Sequence, residues 1–97
     1  MKLLRVEKSP NPDKRYRAVF KDHKTGKEKH TDFGDPNMDN YTIHKDKVRR
    51  DNYRSRHQKD LLTNDPTRAG YLSNFLLWGP STSLETNIRL FKQKFNL

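Results

Sequence analysis

Residues 44–57 read HKDKVRRDNYRSRH. Two histidines enclose six Lys/Arg, two Asp and one Tyr. The stretch contains no Gly or Pro and is rich in helix formers. It separates a strand-like first third from an apolar last third, so its conformation decides the fold class. Its composition predicts a polar helix over 43–62, ending before TNDP. Val48 is the sole aliphatic residue between Ile43 and Leu61. Asp46 with Arg50, and Arg56 with Asp60, have the i,i+4 spacing of helical ion pairs. A helix polar on nearly every side is solvent-exposed, bridging, or held by something outside the chain.

Upstream, residues 1–34 read as a β-meander. In LLRVEK, Leu4 and Val6 are expected on one face. SPNPDK is a breaker-rich turn. RYRAVFKD alternates, with Tyr16, Ala18 and Phe20 on one face and Arg15, Arg17 and Lys21 on the other. DHKTGK is a hairpin loop with Gly26 suited to positive φ. KEKHTDFG gives the third strand. Such a sheet needs cover from helices or a partner.

Downstream, residues 67–97 predict a helical hairpin. Tyr71, Phe75 and Trp78 fall at i, i+4, i+7, and Gly79-Pro80 ends that helix. Thr82 and Glu85 have capping-box spacing. Leu84, Ile88, Phe91 and Phe95 follow at i, i+4, i+7, i+11. The expected core is Phe20, Phe75, Trp78, Leu84, Ile88, Phe91 and Phe95. The expected architecture is α+β: a three-stranded antiparallel meander, one long polar helix and two shorter amphipathic helices, in a single domain over 1–97.

Composition narrows the functional classes. The chain has 97 residues, 30% hydrophobic and 34% charged, and no cysteine. A thiolate zinc site and a disulfide framework are therefore excluded. No apolar run reaches the roughly 20 residues of a membrane span, and MKLLRVEKSP is too short in apolar residues for a signal peptide. The expectation is a soluble, unprocessed chain. Net charge is +9, which favours an acidic partner. The excess is distributed: 10 basic and 5 acidic residues over 1–34, 7 and 5 over 35–62, 4 and 2 over 63–97. A folded basic surface is expected, not a polycationic arm.

The chemical candidates divide unevenly. His44 and His57 lie 13 positions apart, about 19 Å along a continuous helix, too far to share a metal. No HxxxH or HxE motif is present, so His23, His30, His44 and His57 are expected as surface or hydrogen-bonding groups. No nucleophile sits beside an obvious base, and the expectation is a non-enzyme without cofactor or small-molecule substrate. HKTGKE lacks the P-loop pattern. Two binding roles remain. Arg49, Arg50, Arg54 and Arg56, with Lys45, Lys47, Tyr53 and the strand residues Arg15, Arg17 and Lys21, suit either carboxylates on a protein or phosphates on nucleic acid. A solvated charged face is the commonest meaning of such a run.

Three blocks carry a resemblance: FGDPNMDNYTIHKDKVRRDNYRSRH, GYLSNFLLWGPSTSL and NIRLFKQKF. Phe33-Gly34, Tyr41 to Asp46, Arg50, Tyr53, Arg56-His57, Leu77-Trp78, and Asn87-Ile88 with Phe91 follow a pattern that spans residues 15–95. It resembles a family of small basic proteins of large nucleocytoplasmic DNA viruses, such as chlorella viruses and their giant-virus relatives. The resemblance implies a virion protein made in the host cytoplasm or viral factory, and it brings no catalytic set. The expected function is a minor capsid or cement protein docking on acidic faces of capsid or other virion neighbours. The alternative is a virion nucleic-acid-binding protein that helps package the genome. Within this pattern Tyr41, His44 and Asp46 are expected to fix the start of the long helix, with His57 hydrogen-bonded near its end.

Overall fold

A computed structural model describes residues 1–97. Strands β1 (Lys2–Lys8), β2 (Tyr16–Lys21) and β3 (Glu28–Phe33) form an antiparallel sheet in the order β1-β2-β3. Helices follow, and the class is α+β. The β2–β3 hairpin closes on Asp22, whose carboxylate accepts from the Lys24 and Thr25 amides, with Gly26 at φ 71°. The β1–β2 pairing differs from simple alternation. Leu3 faces Phe20 but Arg5 faces Val19, so Leu4 is the extra residue of a β-bulge. The bulge turns Leu3 and Val6 to the inner face and leaves Leu4 exposed, correcting the expected Leu4–Val6 pair.

The expected helix over 43–62 is broken into three pieces. Helix α1 (Tyr41–His44) stops at Lys45, which is left-handed at φ 59°. Helix α2 (Lys47–Arg56) then begins afresh, and a 3-10 segment (Gln58–Thr63) follows it. The cause is competition from short polar side chains, which favour caps over helix interiors. Asn40 caps α1 by accepting from the Thr42 amide. Asp46 caps α2 by accepting from the Val48 and Arg49 amides at 2.9 and 3.2 Å. Asp46 is therefore a cap, not the i,i+4 partner of Arg50.

Helix α3 (Ala69–Leu72) continues into a π-turn (Ser73–Leu77), where the Trp78 amide donates to the Ser73 carbonyl at 3.0 Å. Tyr71, Leu72, Ser73, Asn74, Leu76, Leu77 and Trp78 are all buried and Phe75 between them is half-buried, so this segment is enclosed on most sides rather than amphipathic. It packs against α4 (Leu84–Phe95), and α3 packs against β3. The Thr67 side chain and carbonyl accept from Lys29 and Thr31 at 2.8 Å each, pinning the approach to α3 onto β3. The cap of α4 is Ser83, which accepts from the Thr86 amide; the Thr82–Glu85 box does not form.

Gly79 and Asn87 hold the turn between the last two helices. A Cβ on Gly79 would lie 2.1 Å from the Phe75 carbonyl oxygen. Buried Asn87 donates to the Leu76 and Ser81 carbonyls at 2.9 and 2.8 Å and accepts from the Ser81 amide at 2.9 Å. It satisfies a helix-terminal carbonyl that would otherwise be orphaned. The core comprises Leu3, Ala18, Phe20, Phe33, Tyr41, Leu72, Leu76, Leu77, Trp78 and Phe91. Of the expected core, Phe20, Trp78 and Phe91 are buried. Phe75, Leu84, Ile88 and Phe95 are half-buried around its edge, because α4 covers the core as an outer helix.

Candidate docking surface

The aromatic residues of α1 and α2 meet Trp78 in one column. Tyr53 stacks on Trp78 with centroids 4.2 Å apart and planes 6° apart, and His57 stacks on Tyr53 at 4.1 Å and 21°. His44 lies against Trp78 at 5.2 Å, and Tyr41 meets His44 edge-on at 6.3 Å. The guanidinium of Arg50 stands 4.9 Å from the Tyr41 ring centroid, a cation–π distance. The two histidines that enclose the opening stretch thus lie in one aromatic column. His44 Nδ1 accepts from the Asp46 amide at 2.9 Å, which ties the column to the α2 cap. His57 Nδ1 lies 3.1 Å from the Asp60 carboxylate. Asp60 is therefore the partner of His57 and not of Arg56. His23 and His30 lie elsewhere, beside the N-terminus and Glu28. No group of three or more His, Asp or Glu side chains converges as a metal site requires.

Burial raises the Tyr53 phenol above its ordinary value, and the Asp60 charge pushes in the same direction. The neutral ring is what the column accommodates. Across the sheet, Arg17 and Asp32 stand opposite each other and form two hydrogen bonds of 2.7 and 3.1 Å. The Arg17 guanidinium holds the Asp32 carboxyl below the usual carboxylate range.

These contacts sort the expected docking residues into two groups. Arg17 is paired with Asp32, and Arg15 donates to the Pro36 and Met38 carbonyls at 3.2 and 3.0 Å. Arg50 pairs with Asp51 at 3.0 Å while covering Tyr41, and Tyr53 is engaged in the column. These four act within the fold. Lys21, Lys45, Lys47, Arg49, Arg54 and Arg56 have no carboxylate partner in the chain. Lys21 sits at the end of β2, apart from the others, which flank or lie on α2.

Arg49, Asn52 and Arg56 share one face of α2 and enclose a notch of about 120 Å³ with Met38 and the edge of Trp78. Met38 is 51% exposed. A second hollow of about 200 Å³ lies between the loop at Gly34–Asn40 and Tyr53, His57, Ser73 and Leu77. Gly34, at φ 85°, lets the chain pass within van der Waals range of Leu77 and Arg15; a Cβ there would lie 2.9 Å from Leu77 Cδ1. Met38 and Asn52 were not among the residues expected at the site. The i,i+3 spacing from Arg49 to Asn52 and the i,i+4 spacing on to Arg56 were signals for Asn52. Met38 lay in a turn-rich loop and had no periodic signal.

A family model covers residues 4–57, more than half of the chain. Its description is a family of unknown function, DUF5754. The chain belongs to this family. The family region contains the sheet except for Lys2 and Leu3 at the start of β1, together with α1 and α2, and ends at His57, the last member of the column. Trp78, on which the column rests, lies beyond the matched region. No curated protein and no solved structure matches the chain.

Proposed function

We propose that this protein is a non-enzymatic virion component, a minor capsid or cement protein that uses α2 to dock on an acidic face of a neighbouring capsid protein. One observation carries the docking role. Helix α2 and the residues flanking it present Lys45, Lys47, Arg49, Arg54 and Arg56 without an internal carboxylate, while the helix buries no residue of its own. Arginine forks suit paired carboxylates, and exposed Met38 beside them supplies the apolar contact that interface centres favour. The virion setting rests on the resemblance of the sequence blocks to proteins of large DNA viruses. The test is to quantify the chain in purified particles before and after their genome is released. Retention in emptied particles is expected, and loss together with the genome would overturn the capsid role.

A second role, virion nucleic-acid binding, is favoured by a separate feature. An open basin of about 640 Å³ lies between β3 and the start of α3, with Lys29, Lys59 and Arg68 around Thr31, Thr63 and Thr67; the Asp60 carboxylate also lines it, and Arg68 pairs with Asp65 at 3.6 Å. Cations and hydroxyls together suit phosphate oxygens. For this role, duplex DNA affinity should fall by several decades between about 50 and 200 mM salt when six or more phosphates are contacted. Absence of DNA binding at low salt removes it.

A further inference from the structure

Between α2 and α4 lies a further opening of about 140 Å³. Phe75, Phe91, Leu90 and Pro80 form its apolar lining, and Arg54 and Lys94 stand at its rim. An apolar cavity of about 150 Å³ accommodates a benzene molecule, so this slot is sized for one aromatic or branched side chain. The single polar side chain in the lining that is not a cation is Asn87, and its amide is already bonded to Leu76 and Ser81. The lining contains no carboxylate. Neither Arg54 nor Lys94 has an ion-pair partner, and the Lys94 ammonium lies 6.0 and 5.8 Å from the Phe75 and Phe95 ring centroids. Arg54 is half-buried. With no carboxylate beside it in the chain, the Arg54 guanidinium is available to an acidic partner.

We propose that the slot receives one aromatic side chain from an acidic peptide segment of the neighbouring protein, with carboxylates on either side of that ring held by Arg54 and Lys94. This rests on the docking role of α2 and specifies its partner: an aromatic residue flanked by Asp or Glu. The apolar lining accounts for the ring, and the two uncompensated cations account for the flanking acids. A bare polyanion would satisfy the cations and leave the accessible parts of Phe75, Pro80 and Leu90 uncovered. An uncharged peptide would cover the ring and leave Arg54 unpaired.

The test titrates the full 97-residue chain with the blocked pentapeptide Glu-Asp-Phe-Asp-Glu and follows backbone amide shifts by NMR. Saturable shifts are expected at Arg54, Leu90, Phe91 and Lys94, with a dissociation constant of about 1 mM or tighter. Replacing the peptide's Phe by Ala should weaken binding about tenfold or more. Replacing its four acids by Asn and Gln should do the same, as should the paired substitutions Arg54→Gln and Lys94→Gln, which lie at the surface of the slot. Equal binding of the Phe and Ala peptides would overturn the proposal, because the slot would then contribute nothing. Shifts confined to Arg49, Asn52 and Arg56 would overturn the slot and leave the docking role of α2 intact. The same slot shifts produced by an oligothymidylate of similar charge would overturn the acidic-peptide partner in favour of nucleic acid. Failure of the docking role itself is read separately, from the location of the chain in emptied particles.

Discussion

Helices α2 and α4 have similar lengths, 10 and 12 residues, and each begins on a side-chain cap. They are held in opposite ways. Helix α4 places Leu84, Ile88, Phe91 and Phe95 along one stripe and buries Phe91 and Asn87. Helix α2 buries nothing fully; its Tyr53 ring on Trp78 and its Arg50 over Tyr41 are its chief contacts with the body of the protein. A helix stabilised by area must surrender a face to the core. One held by a cap and a ring stack keeps most of its surface available, and that surface carries the free arginines.

The contrast is broken most severely from the α4 side. Phe91→Ala removes a side chain that is 1% exposed and should cost about 3–5 kcal/mol. That is a large share of the roughly 5–15 kcal/mol typical of a whole domain. Thermal or denaturant unfolding should shift for the entire chain at once, α2 included. Survival of a cooperative transition near the original midpoint would mean that α4 is not the structural centre.

From the α2 side the effect should be smaller and local. Tyr53→Ala removes the stack on Trp78 and should cost about 2 kcal/mol. Hydrogen exchange should show α2 losing protection while α4 and β2 keep theirs. Uniform loss across all elements would contradict the separation of the two regions. The same ring predicts an alkaline limit. The folded protein favours the neutral phenol, so its ionisation is harder than in the unfolded chain. The stabilising contribution is complete below pH ~10 and is lost as pH rises through the higher folded value. Tyr53→Phe should flatten stability measured from pH ~9.5 upward, and an unchanged slope would place the titrating group elsewhere.

Much of this contrast was legible in the sequence, and the illegible parts share a cause. Alternation in RYRAVFK and the 3.6-residue stripe of α4 are local signals, and β2 and α4 form where they point, although Val19 is buried along with Ala18 and Phe20. The bulge at Leu4 depends on the register of β1 against β2, which no pattern within β1 contains. The break at Lys45 depends on Asp46 acting as a cap, whereas the spacing to Arg50 favoured an ion pair of a few tenths of a kcal/mol. A cap is worth about 1 kcal/mol and prevails. Tyr53 and Trp78 stand 25 positions apart, so their stack has no periodic signature. The docking set was legible by charge alone; geometry then withdrew Arg15, Arg17, Arg50 and Tyr53 by giving each a partner inside the fold.

That cap sets the next prediction in size. Asp46→Ala should cost about 1 kcal/mol and leave two amides, those of Val48 and Arg49, without their acceptor. Asp46→Asn should recover most of the loss, because the amide oxygen can accept the same bonds. A loss that Asn does not recover would assign the role of Asp46 to its charge rather than to the cap.

The smallest expected effect sharpens the comparison most. Arg49→Gln with Arg56→Gln should change unfolding stability by no more than about 0.5 kcal/mol, the range for surface positions without a partner. Neither side chain has a carboxylate in the chain to lose. Removing two cations from a protein of net charge +9 even relieves self-repulsion slightly. If the pair instead destabilises the fold by more than about 1 kcal/mol, beyond the usual surface range, the two arginines are structural supports for the Met38 and Trp78 notch. If stability is unchanged while incorporation into particles falls, α2 retains these charges for a neighbour rather than for itself.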